Sequence, residues 1–187
     1  MKLVVAISGA SGAPYAARLL DFLDGPGRDA GIEPHLVFTR FGKLCWKDEV
    51  GTDPARYGFP TYGPADMTAP FASGSARFDA MIVMPCSAGQ LGRIAHGLSA
   101  DLVGRAADVM LKERRRLVLV LRESPYSLVH VRNMQHVIEA GGVVMPASPS
   151  FYSQPADLGE LLDTVVARTL DQIGVHNELT RRWAGRA

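Results

Sequence analysis

Arg105-Ala106-Ala107-Asp108-Val109-Met110-Leu111-Lys112-Glu113-Arg114, then Leu117-Val118-Leu119-Val120-Leu121, then Arg122-Glu123-Ser124-Pro125, is the run of sequence that decides the fold. Val103, Ala106, Ala107, Met110 and Leu111 keep the i, i+3, i+4, i+7, i+8 spacing of a helix with one buried face. Leu117 to Leu121 is a short, unbroken apolar run, the pattern of a parallel strand covered on both sides. Arg122 and Glu123 therefore fall just past the carboxyl end of a strand, where open α/β sheets bind their ligands.

The same alternation extends outward in both directions. Leu3–Ile7, His35–Phe38, Ala80–Met84 and Val143–Met145 read as further strands. Between and after them, residues 15–23, 42–49, 88–95, 101–114, 127–140 and 156–174 read as helices. Such an order gives a mainly parallel sheet with helices on both faces, a three-layer α/β fold. The stretch from Gly51 to Ser75, rich in Gly, Pro and Thr, is a long excursion and is expected to be functional, with too few apolar residues for a core of its own. The tail beyond Gly174 is expected to pack on the domain edge or a neighbour through Leu179 and Trp183.

Composition bounds the function. The 187 residues are 47% hydrophobic with a net charge of +1, enough for one domain with a full core and no bulk electrostatic bias. That balance argues against nucleic acid or an anionic membrane as the main partner. The longest apolar runs are far short of a membrane span, and Met1-Lys2 leads straight into a strand, so no signal peptide is expected. Cys45 and Cys86, both in apolar settings, point to reduced thiols in a cytoplasmic protein.

Three turns at strand ends are candidate anion sites. After the first strand comes Ser8-Gly9-Ala10-Ser11-Gly12-Ala13, whose small residues let backbone N–H groups and the Ser11 hydroxyl approach a phosphate at a helix start. Pro85-Cys86-Ser87-Ala88-Gly89-Gln90 and Thr39-Arg40 follow two other strands. None matches the dinucleotide G-x-G-x-x-G pattern or a Walker A loop. Together they point to a mononucleotide cofactor, and flavin mononucleotide (FMN) suits the absence of a dinucleotide signature. The five histidines lack zinc spacing and are expected as surface or capping residues. Neither Ser11 nor Ser87 sits in a G-x-S-x-G elbow, and Cys86 is expected to be a buried structural thiol. No Asp-rich pair is present to hold Mg²⁺ against a pyrophosphate, so no metal is expected.

Gly9-Ala10-Ser11-Gly12, Ala69-Pro70-Phe71-Ala72-Ser73-Gly74-Ser75, Pro85-Cys86-Ser87, Arg105-Ala106-Ala107-Asp108-Val109, Leu111-Lys112-Glu113-Arg114-Arg115, Arg122-Glu123-Ser124-Pro125 and Phe151-Tyr152 closely resemble the UbiX flavin prenyltransferase family. The likeness runs in order from Leu3 to Trp183. It implies a Rossmann-like flavoprotein domain over residues 1–187. It also implies transfer of a dimethylallyl group from dimethylallyl monophosphate to N5 and C6 of reduced FMN. The product, prenylated FMN, would serve a UbiD-type decarboxylase, and the assembly would be a homododecamer without metal. By position, the resemblance places Gly9, Ala10, Ser11, Thr39, Ser87, Ala88, Gly89, Gln90 and Arg122 on FMN. Lys112, Arg122, Glu123, Tyr152 and Arg168 fall around the substrate phosphate, with Glu49 near the reacting flavin and Glu49, Lys112 and Glu123 catalytic. Allyl–phosphate ionisation needs fixed donors on the leaving phosphate, and Lys112, Arg122, Arg168 and the Tyr152 hydroxyl are of the right kind.

The chain departs from the family pattern at Met67, where some members have Trp, and at Gly89-Gln90, Thr39-Arg40 and Ser153. None of these changes removes a phosphate-binding cation. Two other readings stay open at this point. One is an FMN-dependent decarboxylase of the cysteine-decarboxylase type, although its Pro-Ala-Ser-Ala-Asn-Thr and Pro-x-Met-Asn motifs are missing. The other is a non-catalytic flavin-binding subunit of a decarboxylase.

Overall fold

The computed structural model describes residues 1–183. Six strands form one parallel sheet: β1 (Lys2–Ile7), β2 (Glu33–Phe38), β3 (Thr61–Tyr62), β4 (Ala80–Cys86), β5 (Arg116–Leu121) and β6 (Val143–Pro146), in the order β3-β2-β1-β4-β5-β6. The central strands β1, β4 and β5 are buried at nearly every position, which is why they read as continuous apolar runs. The order reverses between β1 and β4. Their carboxyl ends therefore diverge into helices on opposite sides and leave a crevice between them.

On one face, α1 (Ala13–Asp24) and α7 (Leu158–Gln172) pack on the sheet together with Trp46 of α3 (Arg40–Glu49). A short helix, α2 (Pro26–Asp29), follows α1. On the other face, α4 (Ala88–Ala95), α5 (Leu102–Lys112) and α6 (Leu128–Glu139) bury Leu91, Ile94, Val103, Ala106, Ala107, Met110 and Val137 against β4 and β5. Asp101 caps α5 by accepting from Gly104 N, and Ser127 with His130 forms a capping box on α6. Arg18 of α1 grips Asp163 of α7 with two hydrogen bonds of 2.8 and 2.5 Å, fixing the two helices of the first face to each other.

Two elements differ from the sequence expectation. The two-residue edge strand β3 and the single turn α2 are too short to show a period. The Gly51–Ser75 excursion lends its aromatics to the main core. Phe71 is fully buried and meets Phe78 and Tyr62 edge-on at centroid distances of 5.4 and 5.1 Å. His35 belongs to this aromatic group and is half-buried. Its ring lies 4.8 Å from Phe78, its Nδ1 is 3.1 Å from the Tyr62 hydroxyl, and burial pushes its pKa below the usual histidine value. Cys86 is fully buried, and its thiol is pushed up to about 12 by that burial.

Candidate functional site

The crevice beyond β1 and β4 is built by a few tight contacts. Ser8 joins the two strand ends: its hydroxyl donates to Pro85 O at 2.8 Å and accepts from Ser87 N at 2.8 Å. From Thr39, α3 crosses over the end of β1, with Gly42 seated against Ile7 O and Gly9 against the Phe41 side chain. A Cβ at either glycine would overlap its neighbour, so this close approach requires both. Arg122, at the end of β5, donates Nε to Ser11 O at 2.9 Å and so spans from β5 to the β1 turn.

Helix starts supply backbone donors of the kind that bind anions. Thr39 Oγ1 accepts from Gly42 N and caps α3, and Ser87 Oγ accepts from Gln90 N and caps α4. The amides of Arg40 and Phe41, and of Ala88 and Gly89, precede the first intrahelical bonds and are left for another acceptor. At α1 the structure differs from the sequence reading. Glu49 Oε2 accepts from Gly12 N at 2.7 Å and Ala13 N at 2.8 Å, so the first-turn amides of that helix hold a carboxylate of this chain. The first-turn amides left without an acceptor among the described residues are thus those of α3 and α4. Cys45, one turn before Glu49, has its thiol raised, first by burial and then by the charges of Glu49 and Asp48.

Gly9, Ala10, Ser11, Thr39, Ser87, Ala88, Gly89, Gln90, Arg122 and Glu49 thus converge on one edge of the sheet. The Gln90 side chain is turned into the protein. It is fully buried, its oxygen accepts from Arg93 at 2.8 Å, and its Nε2 has no partner among the described residues. Glu123 lines an adjoining open cavity of about 390 Å³ with Arg122, Tyr126 and Ser148. Phe41, exposed beside Gly9, is a site-edge residue that the motif reading passed over. Its only signal in the sequence is its place two residues after Thr39.

The remaining predicted residues lie elsewhere in the chain. Lys112 ends α5 beside the start of β5, at the amino edge of the sheet, and pairs with Glu113 at 2.5 Å. The whole length of β5, roughly 17–20 Å, separates that edge from Arg122. Tyr152 and Arg168 sit in a third group, formed by the loop after β6, by α7 and by the tail. There Arg168 bonds Asp171 at 2.9 Å, and the Tyr152 ring meets Trp183 edge-on at 5.8 Å. One chain brings together the positions that the resemblance assigns to FMN but does not bring Lys112 to Arg122.

The sequence model of the Flavoprotein family matches residues 1–170. Flavin prenyltransferase UbiX of Deinococcus radiodurans is 44% identical over 185 residues, covering 97% of this chain and 93% of that protein. The chain belongs to the UbiX flavin prenyltransferase family. A crystal structure of AnUbiX (PadA1) in complex with FMN and dimethylallyl pyrophosphate superposes with a TM-score of 0.93 at 41% identity, covering all of this chain and 98% of that one. A dodecameric, FMN-dependent UbiX-like decarboxylase from Escherichia coli O157:H7 gives 0.93 and 41%, covering 99% of this chain and 100% of that one. As a UbiX-family flavoprotein, the chain presents the family's Gly-Ala-Ser-Gly turn and Arg-Glu-Ser-Pro segment on either side of the same crevice.

Proposed function

We propose that this chain joins the dimethylallyl group of dimethylallyl monophosphate to reduced FMN, at N5 and C6, and releases prenylated FMN to a UbiD-type decarboxylase. The observation that carries the reading is the crevice at the β1/β4 reversal, where the positions that the family resemblance assigns to FMN converge. Its donors suit an anionic mononucleotide: uncommitted amides at the starts of α3 and α4, the Ser11 region, and the Arg122 guanidinium. Reduced FMN, when bound, supplies the nucleophilic N5 and C6 to which the allyl group is joined.

The chain's own residues act on the leaving group. As the allyl C–O bond breaks, the electron pair and the developing negative charge pass to the phosphate, which leaves carrying the proton that alkylation of the flavin gives up. Lys112, Arg122, Arg168 and the Tyr152 hydroxyl meet that charge as preorganised donors, and Glu123 lies beside Arg122 at the same edge. Glu49, fixed on the α1 amides, holds a carboxylate at the flavin edge. Lys112 lies at the opposite edge of its own sheet, and Tyr152 and Arg168 lie in a third group, so in this reading other copies complete the site and the active unit is a homo-oligomer, a dodecamer. Among the described residues no helix is long and apolar enough to cross a membrane. Function in the cytoplasm is part of the proposal.

The deciding experiment is anaerobic incubation of the protein with reduced FMN and dimethylallyl monophosphate, with the flavin read by mass spectrometry. A flavin heavier by one dimethylallyl group is expected. Unchanged flavin at full occupancy would leave only a flavin-binding role.

A further inference from the structure

Asp171 is shared by two arginines. Its Oδ2 accepts from Arg168 Nη1 at 2.9 Å and from Arg182 Nη1 at 2.5 Å. Its Oδ1 accepts from Arg182 Nη2 at 2.9 Å and from Asn177 Nδ2 at 3.2 Å. Arg182 thus takes the carboxylate in a two-pronged grip and also donates to Asn177 O at 3.0 Å. The Asp171 carboxyl is held below the usual carboxylate range, chiefly by its hydrogen bond from Arg182. Arg168, one turn before Asp171 on α7, is left with a single bond to it, and its side chain is 57% exposed. The same tail segment lays Trp183 against Tyr152.

A guanidinium and a carboxylate at i and i+3 on a helix normally take one another. Here the tail arginine, which takes both oxygens of Asp171, holds the pair to a single bond. We propose that Arg182 is a positioning residue for prenyl transfer: by occupying both oxygens of Asp171 it holds Arg168 to one bond and leaves the rest of that guanidinium open to bind the phosphate of the allylic substrate. The proposal rests on the reading of Arg168 as a phosphate ligand. Without Arg182, Asp171 closes on Arg168 in the two-pronged geometry, and substrate phosphate has to displace a carboxylate to bind.

Steady-state kinetics of the whole oligomer with reduced FMN and dimethylallyl monophosphate test this. Arg182→Ala is expected to raise KM for the allylic phosphate roughly tenfold, the scale of one charge-assisted hydrogen bond. FMN affinity and melting temperature should stay near wild type. Adding Asp171→Asn to Arg182→Ala removes the competing carboxylate and should return KM to within about threefold of wild type. A merely structural role predicts the opposite, since the second substitution takes away still more of the network. A KM that stays high in the double variant, or one that Arg182→Ala leaves unchanged, overturns the proposal. Should Arg182→Ala fail to assemble, Asp171→Asn alone decides: KM at or below wild type supports the competition, and a tenfold rise overturns it. Arg168→Ala separates the two levels. Wild-type KM and turnover in that variant would remove the phosphate-ligand reading itself, and with it the role of Arg182.

Discussion

Lys112 and Arg168 carry the charge argument in its simplest form. A phosphate leaving group gains negative charge as its C–O bond breaks, and the proposed site meets that charge with side-chain cations. Removing one preorganised cation should cost about 3 kcal/mol of transition-state stabilisation, or roughly a hundredfold in rate. Lys112→Ala and Arg168→Ala are therefore expected to slow prenyl transfer about that much while FMN binding holds. FMN should keep the amides at the starts of α3 and α4 and the Arg122 guanidinium, which neither substitution touches. Turnover by single-turnover assay and FMN affinity by titration check the two halves. On the same argument EDTA should leave wild-type activity intact, and a loss that Mg²⁺ restores would point to a missing metal. Glu49 shows what motif reading misses at this scale. Its position could be carried over from the family, but its bonds to Gly12 N and Ala13 N depend on α3 crossing the end of β1, which no local pattern encodes.

At the scale of elements, the caps and the aromatic group give two measurable expectations. Ser87→Ala removes the cap of α4 and should cost about 1 kcal/mol, visible as a lower melting temperature, together with weaker FMN binding because the Ala88 and Gly89 amides lose their fixed orientation. His35 gives the pH expectation. Its folded pKa lies below the usual 6.5 because burial beside Phe78 disfavours the charged ring, so the unfolded chain binds the proton more readily. Its stabilising contribution is complete above 6.5 and is lost as pH falls through the lower, folded value. Denaturant melts between pH 7 and 5 should show this slope, and His35→Phe should flatten it. Long elements were legible because their periods repeat. The apolar strand Leu117–Leu121 and the helix with Val103, Ala106 and Met110 on one face lie where the pattern puts them. The strand Thr61–Tyr62 and the burial of Phe71 were not legible, because a two-residue strand has no period and the partners of Phe71 come from β2, β3 and the residues before β4. His35 was misread for the same reason: an imidazole inside an aromatic group is set by tertiary contacts alone.

For the whole molecule, the separation of Lys112 from Arg122 by the length of β5 has a consequence that can be counted. If both residues serve one phosphate, they come from different copies, and neither single variant can build a complete site by itself. Lys112→Ala and Arg122→Ala proteins, each assembled alone, should be nearly inactive. Co-expressed in equal amounts, they form mixed oligomers in which a site needs an intact Arg122 from one chain and an intact Lys112 from its neighbour. Random assortment gives each requirement about one chance in two, so roughly a quarter of the wild-type rate should return. Mixing the separately folded oligomers without subunit exchange should return none of it, which distinguishes shared sites from simple addition of residual activities. Light scattering on the mixed sample should give the mass of the wild-type assembly. If co-expression restores nothing while the mixed oligomers form and bind FMN, Lys112 does not act in a neighbour's site, and the phosphate is met without it.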